Sequence, residues 1–147
     1  MDRERVIEVL NRIMELELAG VVRFTHYSLM VFGHARIPIT GWMKEQANES
    51  LLHASMAGEI VTSLGGHPSL RIGPLLETHQ HDMDALLRES LEHENEGVNA
   101  YRELLTLVEG HNIRIEEYAR QMIAHEEEHI SEVEKMLRKP GELEPAS

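Results

Sequence analysis

Six residues of this chain have the types and spacing to hold transition metals: Glu17, Glu49, His53, Glu94, Glu126 and His129. The densest stretch is Ala124-His125-Glu126-Glu127-Glu128-His129-Ile130. On a helix, residues three or four apart project from one face, so Glu126 and His129 can reach a common point. A carboxylate oxygen with an imidazole nitrogen is a sensible half-site for a transition metal. Taken alone, such a run is more often the solvated face of an acidic helix. Its weight depends on whether other helices carry ligand types where apolar residues belong.

The elements that must position these residues read as four long helices. Asp2 to about Phe32 is one, with Val6, Leu10, Ile13, Met14, Phe24 and Tyr27 at helical spacing and Gly33 as a stop. Glu17 stands seven residues after Leu10 and seven before Phe24, where the pattern reserves a hydrophobe. His34 to Thr40 is a connection, since Pro38 forbids a continuous helix, and Thr40 is placed to cap a second helix running to about Leu64. Its expected inner stripe is Glu49, His53, Met56 and Ile60, with Glu45 a turn earlier. Gly65-Gly66-His67-Pro68 ends that helix, and an irregular crossover containing Pro74 suits a connection to a non-adjacent bundle position.

A third helix is expected from about Thr78 to Val108, stopping at Gly110, on the stripe Met83, Leu87, Leu91, Glu94, Tyr101, Leu104, Leu105 and Val108. Glu94 repeats the anomaly of Glu17, seven after Leu87 and seven before Tyr101; Glu92, His93 and Glu96 read as its solvated flank. The fourth helix runs from Asn112 to about Arg138, with Ile115, Tyr118, Met122, Val133 and Met136/Leu137 inward, and Pro140-Gly141 ends it. His67, His79 and His81 read as surface histidines, and Gly141 to Ser147 as a disordered tail.

Composition narrows the function. At 147 residues the chain reads as one domain with a sizeable core, 41% apolar and 27% charged. It has no Cys, which excludes disulfides, zinc–cysteine sites, iron–sulfur clusters and thiol nucleophiles. Neither a membrane span nor a leader is recognisable, so the cytoplasm is the expected location. A net charge of −12 argues against nucleic acid or an anionic membrane as partner and is compatible with concentrating cations.

Each expected helix thus carries a polar intrusion near mid-length: Glu17; Glu49 with His53; Glu94; Glu126 with His129. Burying an ionised carboxylate without a partner costs several kcal/mol, and four together also repel one another. Lys and Arg are absent from these stripes, whereas two divalent cations supply four positive charges. The mixed nitrogen–oxygen set suits iron or manganese. This matches, rather than derives, a pattern described for di-metal carboxylate bundles: a Glu from each of two helices and Glu-x-x-His from the other two. The second helix departs from it, with Ser50 three before His53 and Glu49 four before.

At these residues the chain resembles the bacterioferritins. The similarity runs from Leu10-Asn11-Arg12 to Leu137, and is most specific at Glu17-Leu18, His53-Ala54, Leu64-Gly65-Gly66, Glu94 to Gly97 and Glu126 to His129. The resemblance implies an all-α fold, a ferritin-like four-helix bundle over residues 1–139 with one long crossover between helices two and three, followed by a short tail, 140–147. It implies a ferroxidase with two iron ions per chain, oxidising Fe(II) with oxygen or peroxide and storing iron in a homo-oligomeric cage. Glu17, His53, Glu94, Glu126 and His129 match family ligands. Ser50 takes the place of a bridging Glu, so that role does not carry over, while Glu49 and Glu45 fall where cavity-facing iron ligands are expected. Leu51 stands where the haem-binding Met would be, which argues against haem, and the chain lacks the usual fifth helix, which puts the 24-subunit cage in question.

On this reading Glu94 and Glu126 (or Glu49) bridge two irons, Glu17 and Glu49 are terminal carboxylates, and His53 and His129 bind one iron each. His125 is either behind the ligands or on the surface, and Tyr27 and Tyr101 are either electron donors or core. Two rival classes remain: another di-metal ferritin-like oxidase or peroxidase, and a non-catalytic assembly module.

Overall fold

The computed structural model describes residues 1–144; the rest of the expected tail, 145–147, lies outside the described residues. Four α-helices follow in order: α1 Arg3–Met30, α2 Arg36–Ser63, α3 Met83–Val108 and α4 Ile113–Met136. None of them is long and apolar enough to cross a membrane.

Local chemistry explains most helix ends. Asp2, Asp82 and Asn112 cap α1, α3 and α4, each side chain accepting from a backbone N–H three residues on. The Asp82 cap starts α3 at Met83, five residues later than Thr78. α2 starts earlier than expected. Pro38 lies inside its first turn, where a missing N–H would be unbonded in any case, so it is accommodated rather than excluding helix. Thr40 is consequently not a cap; its hydroxyl donates back to the Ile37 carbonyl at 3.1 Å.

The inward face of α2 is also turned by about one residue from the expected stripe. His53 and Ile60 are buried as expected, together with Met43, Ala47, Ser50, Ala54, Ala57 and Val61, while Glu49 and Met56 are half-buried and Glu45 is exposed. α3 buries a broader face than expected, which takes in Leu86, Ser90 and His93 as well as Leu87, Glu94 and Tyr101. His93 therefore belongs to the interior and not to a solvated flank.

The apolar core falls into two clusters. One gathers the first half of α1 (Val6, Leu10, Ile13), the second half of α2 (Ala57, Val61), the second half of α3 (Tyr101, Leu104) and the first half of α4 (Ile115, Met122). The other gathers Phe24 and Tyr27, Ile39 and Met43, Leu86 and Leu87, and Val133 with Leu137. This pairing of halves means that α1 and α4 run one way, and α2 and α3 the other. Two consecutive helices that run the same way need a connection the length of the bundle, and residues 64–82 provide it.

That crossover is strapped along α1. Asn11 donates to the His67 carbonyl and accepts from the Ser69 N–H, the Gly73 N–H donates to the Glu15 carbonyl at 2.8 Å, and Arg23 donates to the Pro74 carbonyl. Further along, His26 meets Glu77 at 3.0 Å and the Phe32 N–H donates to the His81 carbonyl. His67, His79 and His81 are all exposed, as expected. At Gly73 the strap runs against the helix backbone itself, so that a Cβ would lie 3.0 Å from the Glu15 carbonyl oxygen and 3.3 Å from Ala19 Cβ. Backbone cannot yield as a side-chain tip can. Gly73→Ala is therefore expected to lower stability by about 1–2 kcal/mol through overpacking, read as a fall in the denaturation midpoint with helix content unchanged.

Candidate metal centre

Between the two apolar clusters lies a layer of polar side chains. Each helix contributes where its own apolar run is interrupted: Glu17 from α1, Ser50 and His53 from α2, His93 and Glu94 from α3, and Glu126 with the half-buried His129 from α4. The opposed helix directions bring these interruptions to one level. Helical spacing within one chain could not do so, because the level is set by how far each helix slides against its neighbours.

The contacts are close. His53 Nδ1 lies 3.2 Å from Glu17 Oε2 and 3.4 Å from Glu126 Oε1, all three side chains being almost fully buried. Neither His53 Nδ1 nor Glu17 Oε2 makes an aligned hydrogen bond. Atoms this close without donor–acceptor alignment are compatible with ligands around a cation. Each of two groups offers a ligand atom per residue with all atoms within 4.8 Å: Glu17, His53 and Glu126, and Glu94, Glu126 and His129. Glu126 serves both. A third group at the edge combines Glu49, His125 and His129, with Glu49 Oε2 2.9 Å from His129 Nε2 and 3.3 Å from His125 Nε2.

Every residue singled out as a metal ligand thus lies in this layer or at its rim. Glu45 does not; it is exposed, one turn from Glu49. His125 is half-buried beside the site, its ring edge-on to His53 with centroids 5.1 Å apart. Tyr101 is fully buried and packs on Tyr118, and burial with the nearby Glu17 charge pushes its phenol well above the ordinary value. Tyr27 belongs to the other apolar cluster, edge-on to Phe24.

His93 is the residue that sequence reasoning missed. A signal existed: Ser90 and Gly97, three before and four after it, put small residues on the same face. Gly20 of α1 makes room for it. A Cβ on Gly20 would fall 2.8 Å from Ser50 Oγ and 3.3 Å from His93 Nε2. Burial, with help from Arg23, lowers the His93 imidazole to about 4, so it stays neutral.

Electrostatics show what the cluster does without a cation: it keeps protons. Burial raises Glu17 to about 7 against the opposing pull of His53. Burial and the Glu126 charge push Glu94 well above the usual carboxylate range. Burial works to raise Glu126 too, but the adjacent Glu94 and His53 outweigh it and hold it at about 2. Burial disfavours a charged His53, yet Glu126 and Glu17 overcome this and raise it to about 10. An anionic Glu126 is thus flanked by a protonated Glu94 and a cationic His53. His129, lowered by burial, offers a free nitrogen. The donor set of carboxylates and imidazoles fits a pair of divalent ions of the iron or manganese type, which would take the place of those protons.

A profile of the ferritin-like domain family matches residues 7–141. The chain belongs to the ferritin-like domain family. Its bundle is similar to that of a ferritin-like, diiron-carboxylate protein from Bacillus anthracis str. Ames, at 22% identity and a TM-score of 0.88 over 94% of this chain and 99% of that one. It is also similar to a dodecameric thioferritin, the bacterioferritin-related protein of Bacteroides fragilis, at 22% identity and a TM-score of 0.86 over 93% and 86% of the two chains. No curated protein matches the sequence. Within this ferritin-like bundle, α1 and α3 bring single carboxylates, and α4 brings Glu126 and His129 one turn apart, as the sequence pattern anticipates.

Proton displacement has a measurable sign. A carboxyl raised on folding favours the folded state while protonated, so the Glu17 contribution to apo stability is lost as pH rises from 4.5 through about 7. The His53 contribution is intact below 6.5 and lost as pH rises through about 10. Cation binding must expel the same protons. Affinity for Co(II) or Zn(II) is therefore expected to rise from about pH 6 to about pH 8 with net proton release. Calorimetry in buffers of different ionisation enthalpy measures it, and binding heats independent of buffer would contradict it.

Proposed function

We propose that this chain is a ferroxidase, oxidising Fe(II) to Fe(III) at a di-iron centre inside each subunit and storing or detoxifying iron in a homo-oligomer. The observation that carries this reading is the pair of buried ligand groups, Glu17-His53-Glu126 and Glu94-Glu126-His129, joined through Glu126 at mid-bundle. Three buried carboxylates bring three negative charges against the four positive charges of two Fe(II), and Glu49 at the rim brings a fourth.

Iron enters as substrate and supplies the electrons. Two Fe(II) give one electron each to an oxidant: dioxygen taking two electrons and two protons leaves as hydrogen peroxide, and peroxide taking two and two leaves as water. The residues of this chain hold and orient. Glu126, kept anionic, is the shared ligand; His53 and His129 each give one imidazole; Glu17 and Glu94 surrender protons as cations arrive. The apolar clusters on both sides exclude bulk water and fix the separation of the groups. Ser50 leaves the α2 side without a carboxylate at the level of Glu126, so Glu94 is the second bridging candidate.

A homo-oligomer is supported by the relative described as dodecameric. Exposed Leu51 and Leu52 on α2, and Leu75 and Leu76 on the crossover, give a second copy apolar surface to cover. The absence of a carboxylate at Ser50 favours one rival, a di-metal oxidase or peroxidase that stores nothing. The two readings part on iron retention.

Anaerobic Fe(II) titration followed by oxygen tests the proposal. It should saturate near two irons per chain, then develop ferric absorption, and further iron should be retained in an oligomer resolved by size exclusion. Retention of only two irons per chain would favour the rival. Glu94→Ala should fold and lose rapid oxidation by about 100-fold or more, a loss comparable to removing one strong electrostatic contact in an active site. Oxidation at the parent rate by this variant would reject the site.

A further inference from the structure

The four helices do not contribute equally to the polar layer. α1 and α3 bring Glu17 and Glu94, and α4 brings Glu126 and His129 one turn apart; α2 repeats that spacing with Ser50 and His53. Three interior carboxylates bring three negative charges. A pair of divalent cations brings four positive ones, so one is left over between the two apolar clusters, where an unbalanced ion costs several kcal/mol. Glu49 does not cancel it from inside: its side chain is 40% exposed, and its Oε2 lies against the imidazoles of His125 and His129 at the rim. At the level where α2 lacks a carboxylate lie two polar residues that belong to none of the ligand groups, Ser50 and His93, 9% and 7% exposed.

We propose that Ser50 and His93 hold a small planar O–C–O monoanion, a carboxylate or hydrogencarbonate, which supplies the charge that α2 does not bring. The inference rests on the di-metal reading above. Both groups meet the same place on α1: a Cβ on Gly20 would lie 2.8 Å from Ser50 Oγ and 3.3 Å from His93 Nε2. Residue 20 carries no side chain, so the two polar atoms border a niche instead of a methyl group. A serine hydroxyl donates one hydrogen bond and a neutral imidazole another; in its Nε2–H tautomer His93 donates on the Gly20 side. His93 Nδ1 is enclosed without a hydrogen-bond partner, which marks the ring as incompletely satisfied by the protein itself. Arg23, three residues after Gly20 on the same face of α1, adds positive charge that is felt at His93. Two donors beside a cation pair suit an anion and not a further metal ion. The donors come from separate helices, α2 and α3, and the two oxygens of one planar group match them as a monatomic anion does not.

Calorimetric titration of formate, and separately of hydrogencarbonate, into full-length protein loaded with Co(II) without oxygen tests this, with the visible Co(II) bands as a second readout. The parent should hold two Co(II) per chain and then saturate at one anion per chain with a change in those bands; the tighter of the two anions names the ligand. Metal-free protein should bind neither, because its layer keeps protons in place of cations. Ser50→Ala and His93→Leu should each keep two Co(II) and bind the anion about tenfold or more weakly, the worth of one hydrogen bond to an ionised group. Ser50→Glu brings its own carboxylate and should keep two Co(II) while losing the response to formate. Four results would each overturn the niche and leave the di-metal reading standing: an equal response to chloride, formate binding without metal, unaltered affinity in Ser50→Ala and His93→Leu, or a parent with two Co(II) and no anion response. A parent that takes up no Co(II) would overturn both.

Discussion

Like charges confined in a dry layer govern this structure. Glu17, Glu94 and Glu126 are held together between two apolar clusters, where water cannot screen them. Without a cation the layer survives by keeping protons on Glu94 and His53 while Glu126 remains anionic. That arrangement is electrically tolerable but leaves polar atoms of Glu17 and His53 without aligned partners. A site that is merely buried and satisfied would align its hydrogen bonds. Here the donor set of carboxylates and imidazoles fits a pair of divalent ions.

The helix directions follow from the same need. With α1 and α4 running against α2 and α3, the apolar halves pair end to end and the polar interruptions meet at the middle. The residue 64–82 strap makes that arrangement possible, and its attachment along α1, backbone to backbone at Gly73, holds α1 in register against the rest. Parts of the chain with no ligand of their own thereby position the layer.

α2 is where this molecule departs from a symmetric ligand set. Ser50 offers a hydroxyl at the buried level, and its neighbours are Gly20 and the neutral His93. The displaced carboxylate, Glu49, meets two imidazoles at the rim instead. A centre with three interior carboxylates and one at the edge is less closed than one with four inside. Its more exposed side carries Glu49, His125 and His129.

Much could be read before folding was considered. Four helices, the interruptions at Glu17, Glu94 and Glu126/His129, and the need for a long crossover follow from periodicity, because an apolar stripe broken by a carboxylate is a one-dimensional signal. The faces of α2 and α3 were harder. Glu49 and Ser50 differ by one residue, and only packing against α1 and α4 decides which of them points inward. His93 hid for the same reason: beside Glu94 it looked like a flank, and it is interior because Gly20, on another helix, leaves space for it. Pro38 marked a turn in the sequence, yet its place in the first turn of α2 makes it compatible with helix. The chemistry of the site was thus written in residue types and spacing. Its level, its open side and the sharing of Glu126 and His129 arise only where four helices meet, since no local interaction fixes how one helix is rotated and slid against another.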